Sequence, residues 1–255
     1  MTSLRTFTAV LGRDIFVTGR ELPSFLAQVV IQPFFTLFIF GKVLGDIGYV
    51  QGNFAQVLLP GVVALTGFLG GLQNTTLPLV LDFSWTREIE DRLLAPMPIS
   101  LVAVEKMVFG ALRGVVSALL MVPIGFVVLD VNWPLSSLPL VVLVLVLGSL
   151  AGAAVGMVVG TSVPQRRINI MFAVILTPLM FTGATQFPWP QLDHLRWFQV
   201  ICALNPLTYV SESMRAALLP EVPHMELWVT LPVMVLAIVA FGLLGIRGFM
   251  RRALD

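Results

Sequence analysis

The sequence predicts an all-α integral membrane protein with six transmembrane helices, and three observations carry that prediction. Charge is scarce: 11% of the 255 residues are Asp, Glu, Lys or Arg, against 57% hydrophobic, whereas a soluble domain carries about 25% charged residues. Mean hydropathy is +0.94. The charges are also bunched, which leaves charge-free runs of the roughly 20 residues that a spanning helix needs. So little polar surface cannot solvate a globule of this size. The composition excludes a disordered chain, a nucleic-acid binder and an ordinary cytosolic enzyme, and a net charge of +1 implies no polyanionic partner.

Residues 4–20 come first. Leu4, Phe7, Leu11 and Ile15 recur at helical spacing while Arg5, Arg13 and Arg20 fall on the opposite face. This is the pattern of a short amphipathic helix in the inner interface, its arginines among anionic lipid head groups; the other reading is a solvated tail. The opening MTSLRTFTAV has too weak an apolar region, and no small-residue cleavage site after it, for a signal peptide.

Six spans follow. The first lies between Glu21 and Lys42, and the second runs from about Phe54 to Leu81. The third starts near Ile99 and ends before Asp130, the fourth runs from about Pro134 to Val163, the fifth from Ile168 to about Thr185, and the last lies between Glu226 and Arg247. A further apolar stretch, Trp197 to Val210, is short and broken at Asn205-Pro206, so it reads as a re-entrant or interfacial piece.

Charge asymmetry orients the spans. With the N-terminus inside, the inner segments hold Arg5, Arg13, Arg20, Arg87, Arg92, Lys106, Arg166, Arg167, Arg247, Arg251 and Arg252, and the outer ones only Lys42, Arg196 and Arg215. The positive-inside rule puts both termini in the cytoplasm of a multi-pass inner-membrane protein.

Between the second and third spans lies the most polar segment, DFSWTREIEDRLLAPMPIS, with Arg87, Glu88, Glu90, Asp91 and Arg92 followed by Leu93 and Leu94 and then by Pro96 and Pro98. A short charged helix over 85–98, stopped by prolines, suits a lateral cytoplasmic helix that docks on a protein; a solvated loop held by its own ion pairs reads equally well. On the outer side, residues 187–220 read FPWPQLDHLRWFQVICALNPLTYVSESMRAALLP. A proline-rich entry, an apolar helix, a break at Asn205 and Pro206 and an amphipathic helix with Tyr209, Glu212 and Arg215 form two external helices that dip into the leaflet and return. Such a piece must pack on the bundle, because non-helical backbone at membrane depth needs protein or water to satisfy it. Trp189, Trp197 and Tyr209 suit an interfacial belt.

Inside the spans, polar residues are few. Arg113 sits 14 residues beyond Ile99, roughly 20 Å along the helix, too deep to snorkel easily. It either pairs structurally or faces a substrate path. Gln28 and Gln32 share one face of the first span; Gln73, Asn74, Thr75 and Thr76 cluster before Pro78. These amides either line a cavity or tie helices together, and Pro33 and Pro78 mark expected kinks. No acid lies mid-span, which argues against a proton relay and for another energy source. Gly148, Gly152, Gly156 and Gly160 are each four apart, so they form one small-residue stripe for close helix packing, within the chain rather than across a dimer. Cys202 is a lone cysteine in an apolar stretch, read as packing, and His194 and His224 lie in no metal-ligand spacing, so no metal site is expected.

Three pieces in order, ELPSFLAQVVIQPFFTLFIFG after the N-terminal helix, WTREIEDRLLAPMPIS, and FPWPQL followed by NPLTYVSESMR, resemble the membrane subunit of an ABC exporter of the type 2 permease family, the group with drug, lipo-oligosaccharide and polysaccharide exporters. The resemblance covers the full chain as a single permease domain, and the third piece is its most specific part. It implies a second permease chain, identical or homologous, and two cytosolic ABC ATPase subunits that bind ATP and Mg, with no cofactor in this chain. It makes the Arg87–Ala95 region the coupling helix seated on the ATPase, adds an ATPase contact for the N-terminal helix, and places the Pro188–Leu219 helices above the cavity. The cargo would be a hydrophobic or amphipathic drug, lipid or glycolipid leaving the cytoplasm or inner leaflet. No G-x-x-x-x-G-K-[ST] occurs, and Gly41-Lys42 is followed by Val43, so the sequence offers no phosphate-cradling loop of its own. An ion-coupled carrier and a membrane-embedded lipid-modifying enzyme are the other classes; the first needs an ion site, and the second a His, Asp, Ser or Cys constellation.

Overall fold

Helix is the only regular structure among the described residues of the computed structural model, which are 2–20, 25, 31–48, 54–84, 97–129 and 135–254. In an apolar solvent the backbone must satisfy its own polar groups, and a helix does so within one segment. Helix α1 spans Thr2–Arg20. A helical segment over 31–46, α2, contains a π-helical stretch at Leu37–Val43. Then come α3 (Phe54–Ser84), α4 (Ile99–Leu129), α5 (Leu138–Ser162) and α6 (Ile168–Thr182). Two short helices, α7 (Arg196–Ala203) and α8 (Pro206–Leu218), precede the last, α9 (Leu227–Leu254).

Four of these, α3, α4, α5 and α9, have the length and apolar character to cross a membrane. The expected fifth span is shorter than its sequence suggests. Its 15 helical residues rise only about 22 Å, and the chain leaves the helix at Gly183 instead of Thr185. The first expected span is described only from residue 31; it passes Lys42 and ends at Asp46, with an i,i+4 ion pair between the two at 3.4 Å. The last helix likewise continues past Arg247 to Leu254. In both cases long cationic side chains at a helix end are compatible with helix, so a charge does not mark its boundary.

The centre of the bundle is α3, whose apolar window is 72% buried, against 22% for the peripheral α9. It packs on α4 and α5 through small residues. A Cβ on Gly152 would fall 2.0 Å from the Phe68 carbonyl oxygen, one on Gly156 2.4 Å from that of Leu72, and one on Gly71 2.1 Å from that of Ser149. Gly148 faces Val210 of α8, and Gly160 faces Leu79. The stripe on α5 therefore meets helices of the same chain. Hydroxyls on these helices bond back to carbonyls four residues earlier: Thr66 to Val62, Thr75 to Gly71 and Thr76 to Leu72 at 2.8–2.9 Å. The Thr76 hydroxyl also donates across to the Gly156 carbonyl at 3.0 Å. Each satisfies a polar group with no water at hand.

Helix α1 forms where the spacing put it, but its inward face differs. Asp14 is buried, with Phe7, Val10 and Leu11 half-buried beside it, while Leu4, Ile15 and Phe16 stay exposed. A helix that touches the bundle along one stripe turns only that stripe inward.

Helices α7 and α8, expected as external helices, are held by a buried ion pair that the amphipathic pattern did not suggest. Glu212 and Arg215 are both fully buried and pair with each other on α8. Glu212 Oε1 accepts from the Trp189 N–H at 3.0 Å and Oε2 from the Met225 N–H at 2.9 Å; Arg215 Nη2 donates to the Ala184 carbonyl at 2.9 Å. Ala184 adopts a left-handed φ of 49°, a conformation that costs an L-residue about 1–2 kcal/mol. The pair thus ties the end of α6, the proline-rich entry and the start of α9 to one helix. Asn205 caps α8, accepting from the Leu207 N–H at 2.9 Å and donating to the Leu179 carbonyl at 2.8 Å, with Pro206 next to it in the first turn.

Two stability outcomes follow. Gly152→Ala should lower the melting temperature of the purified protein, at an overpacking cost of about 1–3 kcal/mol, while Gly12→Ala, with nothing within 4 Å, should leave it unchanged or raise it. Equal melting of the two variants would refute backbone contact as the source of the constraint. Arg215→Met should destabilise by about 3–5 kcal/mol, because it leaves a buried carboxylate unpaired. Adding Glu212→Gln should recover part of that loss, since the amide oxygen still accepts from backbone. The swap of Glu212 and Arg215 should not recover it, because arginine accepts no hydrogen bond.

Candidate functional site

Helices α2, α3, α4 and the end of α6 enclose a cavity of about 290 Å³. One stripe of α3 forms its long wall, from Val62 through Leu65, Thr66, Leu69, Gly70, Gln73, Asn74, Leu77 and Pro78 to Leu81. These positions recur at three and four residues, the spacing of one helix face. The stripe covers about 28 Å at 1.5 Å per residue, close to the roughly 30 Å of a hydrocarbon core. Gln32, Pro33 and Thr36 of α2 form the facing wall; Met180, Phe181, Thr185 and Gln186 close one end, and Arg113 reaches in from α4.

Four of the five residues expected on a substrate path, Gln32, Gln73, Asn74 and Arg113, therefore line one cavity; Gln28 lies outside the described residues. The polar cluster 73–76 divides. Gln73 and Asn74 face the cavity, whereas Thr75 contacts Gly110 and Thr76 bonds Gly156, so those two serve helix packing. A turn of 100° per residue puts two adjacent residues on one side and the next two on the other. Asn74 Nδ2 donates to the Gly70 carbonyl at 2.7 Å, which fixes the amide along the wall. Pro78 has no N–H for the Asn74 carbonyl, so the α3 ladder is interrupted beside that amide.

Arg113 is partly buried midway along α4, its guanidinium 4.5 Å from the Phe25 ring centre and 5.8 Å from that of Phe109. Stacking on aromatic faces stabilises a cation in a poorly solvated site. It is the one charged residue among the described residues that line the cavity.

The expected coupling residues Arg87, Glu88, Glu90, Asp91, Arg92, Leu93 and Leu94 lie outside the described residues. The helices that flank them are described, and they carry contacts absent from the sequence reading. Lys106 Nζ donates to Asp82 Oδ2 at 2.6 Å with both side chains buried, which joins the end of α3 to the start of α4. Glu105 is fully buried one residue before, some six residues or about 9 Å into α4. These charges lie deeper than helix-end positions suggested. Arg252 of α9 donates to the Gly160 carbonyl at 2.9 Å at the end of α5 and stacks 4.8 Å over Phe83, which meets Phe249 edge-on at 5.5 Å. An arginine on the last carbonyls of a helix both satisfies them and complements the helix dipole. The root of the charged segment is thereby joined to α4, α5 and α9. The sequence signal was present in Asp82 and Lys106 as charges of opposite sign just inside facing helix ends, but 24 residues separate them.

Around α7 and α8, the Tyr209 hydroxyl donates to the Ala203 carbonyl at 2.7 Å, and Trp189 Nε1 donates to the Gln199 carbonyl at 3.0 Å. Trp197 is exposed and Cys202 is buried.

The chain is similar to several known transport permeases. The inner membrane transport permease YadH of Escherichia coli (strain K12) is 28% identical over 240 residues, which cover 89% of this chain and 91% of the relative. The putative transport permease ycf38 of Cyanophora paradoxa is 27% identical over 226 residues, covering 81% of this chain and 72% of the relative. That of Porphyra purpurea is 24% identical over 217 residues, covering 80% and 71%. No solved structure matches the chain. The model of the ABC-2 type transporter family matches residues 5–219. That span includes most of α1, the cavity, the charged segment, α7 and α8. The chain belongs to the ABC-2 type transporter family, as a membrane permease subunit, not an enzyme, that works with the ATPase subunits of an ABC transporter.

Proposed function

We propose that the chain is one membrane half of an inner-membrane exporter that moves a hydrophobic or amphipathic molecule (drug, lipid or glycolipid) out of the cytoplasm or inner leaflet. The observation that carries this reading is the cavity. It runs along α3 for nearly the thickness of a hydrocarbon core, with amides and an arginine set among leucines. A wall of that composition holds both halves of an amphipath and suits neither a small ion nor a sugar alone.

The complex has two permease halves, identical or homologous, and two ATPases that bind ATP and Mg. Six spans per half, with both termini cytoplasmic, are supported by the four long apolar helices, by helix in α2 and α6, and by the excess of arginine on the inner side. ATP closes the ATPases and moves the segment 85–98. The ties from Asp82 to Lys106 and from Arg252 to Phe83 and α5 pass that movement to four helices together. The halves then change between inward-open and outward-open states. The cargo shifts that equilibrium only by its difference in affinity for the two. The external helices, fixed by Glu212 and Arg215, form the outer wall above the cavity.

Two experiments test this. In inside-out vesicles containing the permease and its ATPase, Gln73→Cys on a Cys202→Ser background should transport until a bulky thiol reagent is added, then lose at least about tenfold of its ATP-driven uptake of a lipophilic dye; unchanged uptake would remove the cavity from the path. Reversing Arg87→Glu and Glu88→Arg together should leave ATP hydrolysis measurable while transport falls by about tenfold or more. Normal transport per ATP would reject the coupling role of the segment.

A further inference from the structure

Resting on the substrate path proposed above, we infer that Asn205 is a latch on that path: it positions the last turn of α6 as the end wall of the cavity, and cargo passes that wall only when Asn205 releases it. The wall is made by Met180 and Phe181 of α6 and by Thr185 and Gln186 just after it. This stretch is wedged between two helices. A Cβ on Gly61 of α3 would fall 1.8 Å from the Thr185 carbonyl oxygen, and one on Gly183 2.5 Å from the Leu207 side chain of α8. Ala184 and Thr185 are buried between them.

A helix ends with four carbonyls that have no partner in the helix itself. In α6 two of these, on Leu179 and Thr182, are met from α8. Asn205 Nδ2 donates to the Leu179 carbonyl at 2.8 Å and to the Thr182 hydroxyl oxygen at 2.9 Å. The Thr208 hydroxyl lies 3.1 Å from the Thr182 carbonyl but 2.6 Å from that of Cys202; its single proton ties α6 the more weakly. The Asn205 amide is therefore divided between two helices. Its oxygen caps α8 through the Leu207 N–H, and its nitrogen holds α6. These are neutral hydrogen bonds, which exchange at a cost of about two- to tenfold in population each. Beside them Ala184, whose carbonyl Arg215 holds, has a left-handed φ of 49°, a conformation that an L-residue keeps only where its surroundings impose it. A strained turn next to exchangeable bonds marks a segment with a second arrangement. Helix α8 also has a route to the energy source. Val210 sits on Gly148 of α5, 12 residues before the Gly160 carbonyl that Arg252 holds, about 18 Å along that helix. A shift of α5 that starts at the charged segment reaches the latch through Val210.

The test uses the intact permease–ATPase complex in inside-out vesicles on a Cys202→Ser background. Thr182→Cys and Asn205→Cys replace side chains that touch, and a short bis-methanethiosulfonate should join them in the absence of ATP. Once joined, the complex should lose at least about tenfold of its ATP-driven uptake of a lipophilic dye while still hydrolysing ATP, and a reductant should restore uptake. A pair that fails to join, or that carries dye equally before and after joining, would overturn the latch. A milder variant, Asn205→Ser, still caps α8 but has no amide for Leu179. In nanodiscs it should raise the ATP-free reaction rate of a Thr185→Cys probe with a hydrophilic maleimide about fivefold, the equivalent of one hydrogen bond; an unchanged rate would also overturn the latch. Thiol blockade of Gln73→Cys separates this inference from the path it rests on. If blockade stops uptake and joining does not, the latch falls and the path stands. If neither stops uptake, the path falls with the latch, and if joining alone stops it, Asn205 does not gate this cavity.

Discussion

Where Gly152 meets the Phe68 carbonyl and Gly71 meets that of Ser149, the backbones of α3 and α5 touch, and the rest of the bundle depends on that contact. In lipid no hydrophobic force draws one apolar helix to another, because the tails are as apolar as leucine. Association must come from close packing and from polar bonds between helices. Glycines supply the first by removing the Cβ that would hold backbones apart. Thr76, bonded to its own turn and to the Gly156 carbonyl, supplies the second. With α3 held against α5 on one side and against Gly110 and Gly114 of α4 on another, the cavity lies along a further stripe of α3.

The chain's few charges are placed by the same constraint. Five of them join elements. Asp82 with Lys106 closes the root of the charged segment, and Arg252 ends α5 and covers Phe83. Glu212 with Arg215 gathers the loops on either side of α7 and α8. A buried ion pair is poor evidence of net stability, because desolvation of both groups can cancel their attraction. What these pairs provide is register: Glu212 and Arg215 between them meet the Trp189 and Met225 N–H groups and the Ala184 carbonyl, and Lys106 meets Asp82 across two helices. One pair lies near each end of the bundle, and Arg113 lies between them at the cavity wall.

That distribution has a mechanical consequence. The charged segment 85–98 leaves from a place where α3, α4, α5 and α9 are already joined, so a displacement there is shared among them. Packed helices with interlocked glycines do not deform continuously; they exchange one arrangement for another. The π-helical stretch in α2 and the proline in α3 beside Asn74 interrupt the regular ladder next to the cavity, which is where a change in helix shape costs least.

The membrane class, the helical content, the starts of α3, α4 and α9, the break at Asn205-Pro206 and the shared face of the four α5 glycines were all legible in the sequence. Hydropathy and a period of 3.6 residues act within one segment and need no knowledge of neighbours. Helix ends were less legible at Lys42 and Arg247, because arginine and lysine extend a helix as readily as they end one. The candidate site was half legible: Gln32, Gln73, Asn74 and Arg113 stood out as polar groups in apolar runs, yet nothing in the chain said that they converge, or that Thr75 and Thr76 turn away. Glu212 and Arg215 were visible as opposite charges three apart, but their burial was not. By itself the sequence determined the solvent, the elements and the faces of each helix. Only the tertiary structure decided which faces meet, because ion pairs, glycine contacts and cavities join residues that are distant along the chain and have no period to reveal them.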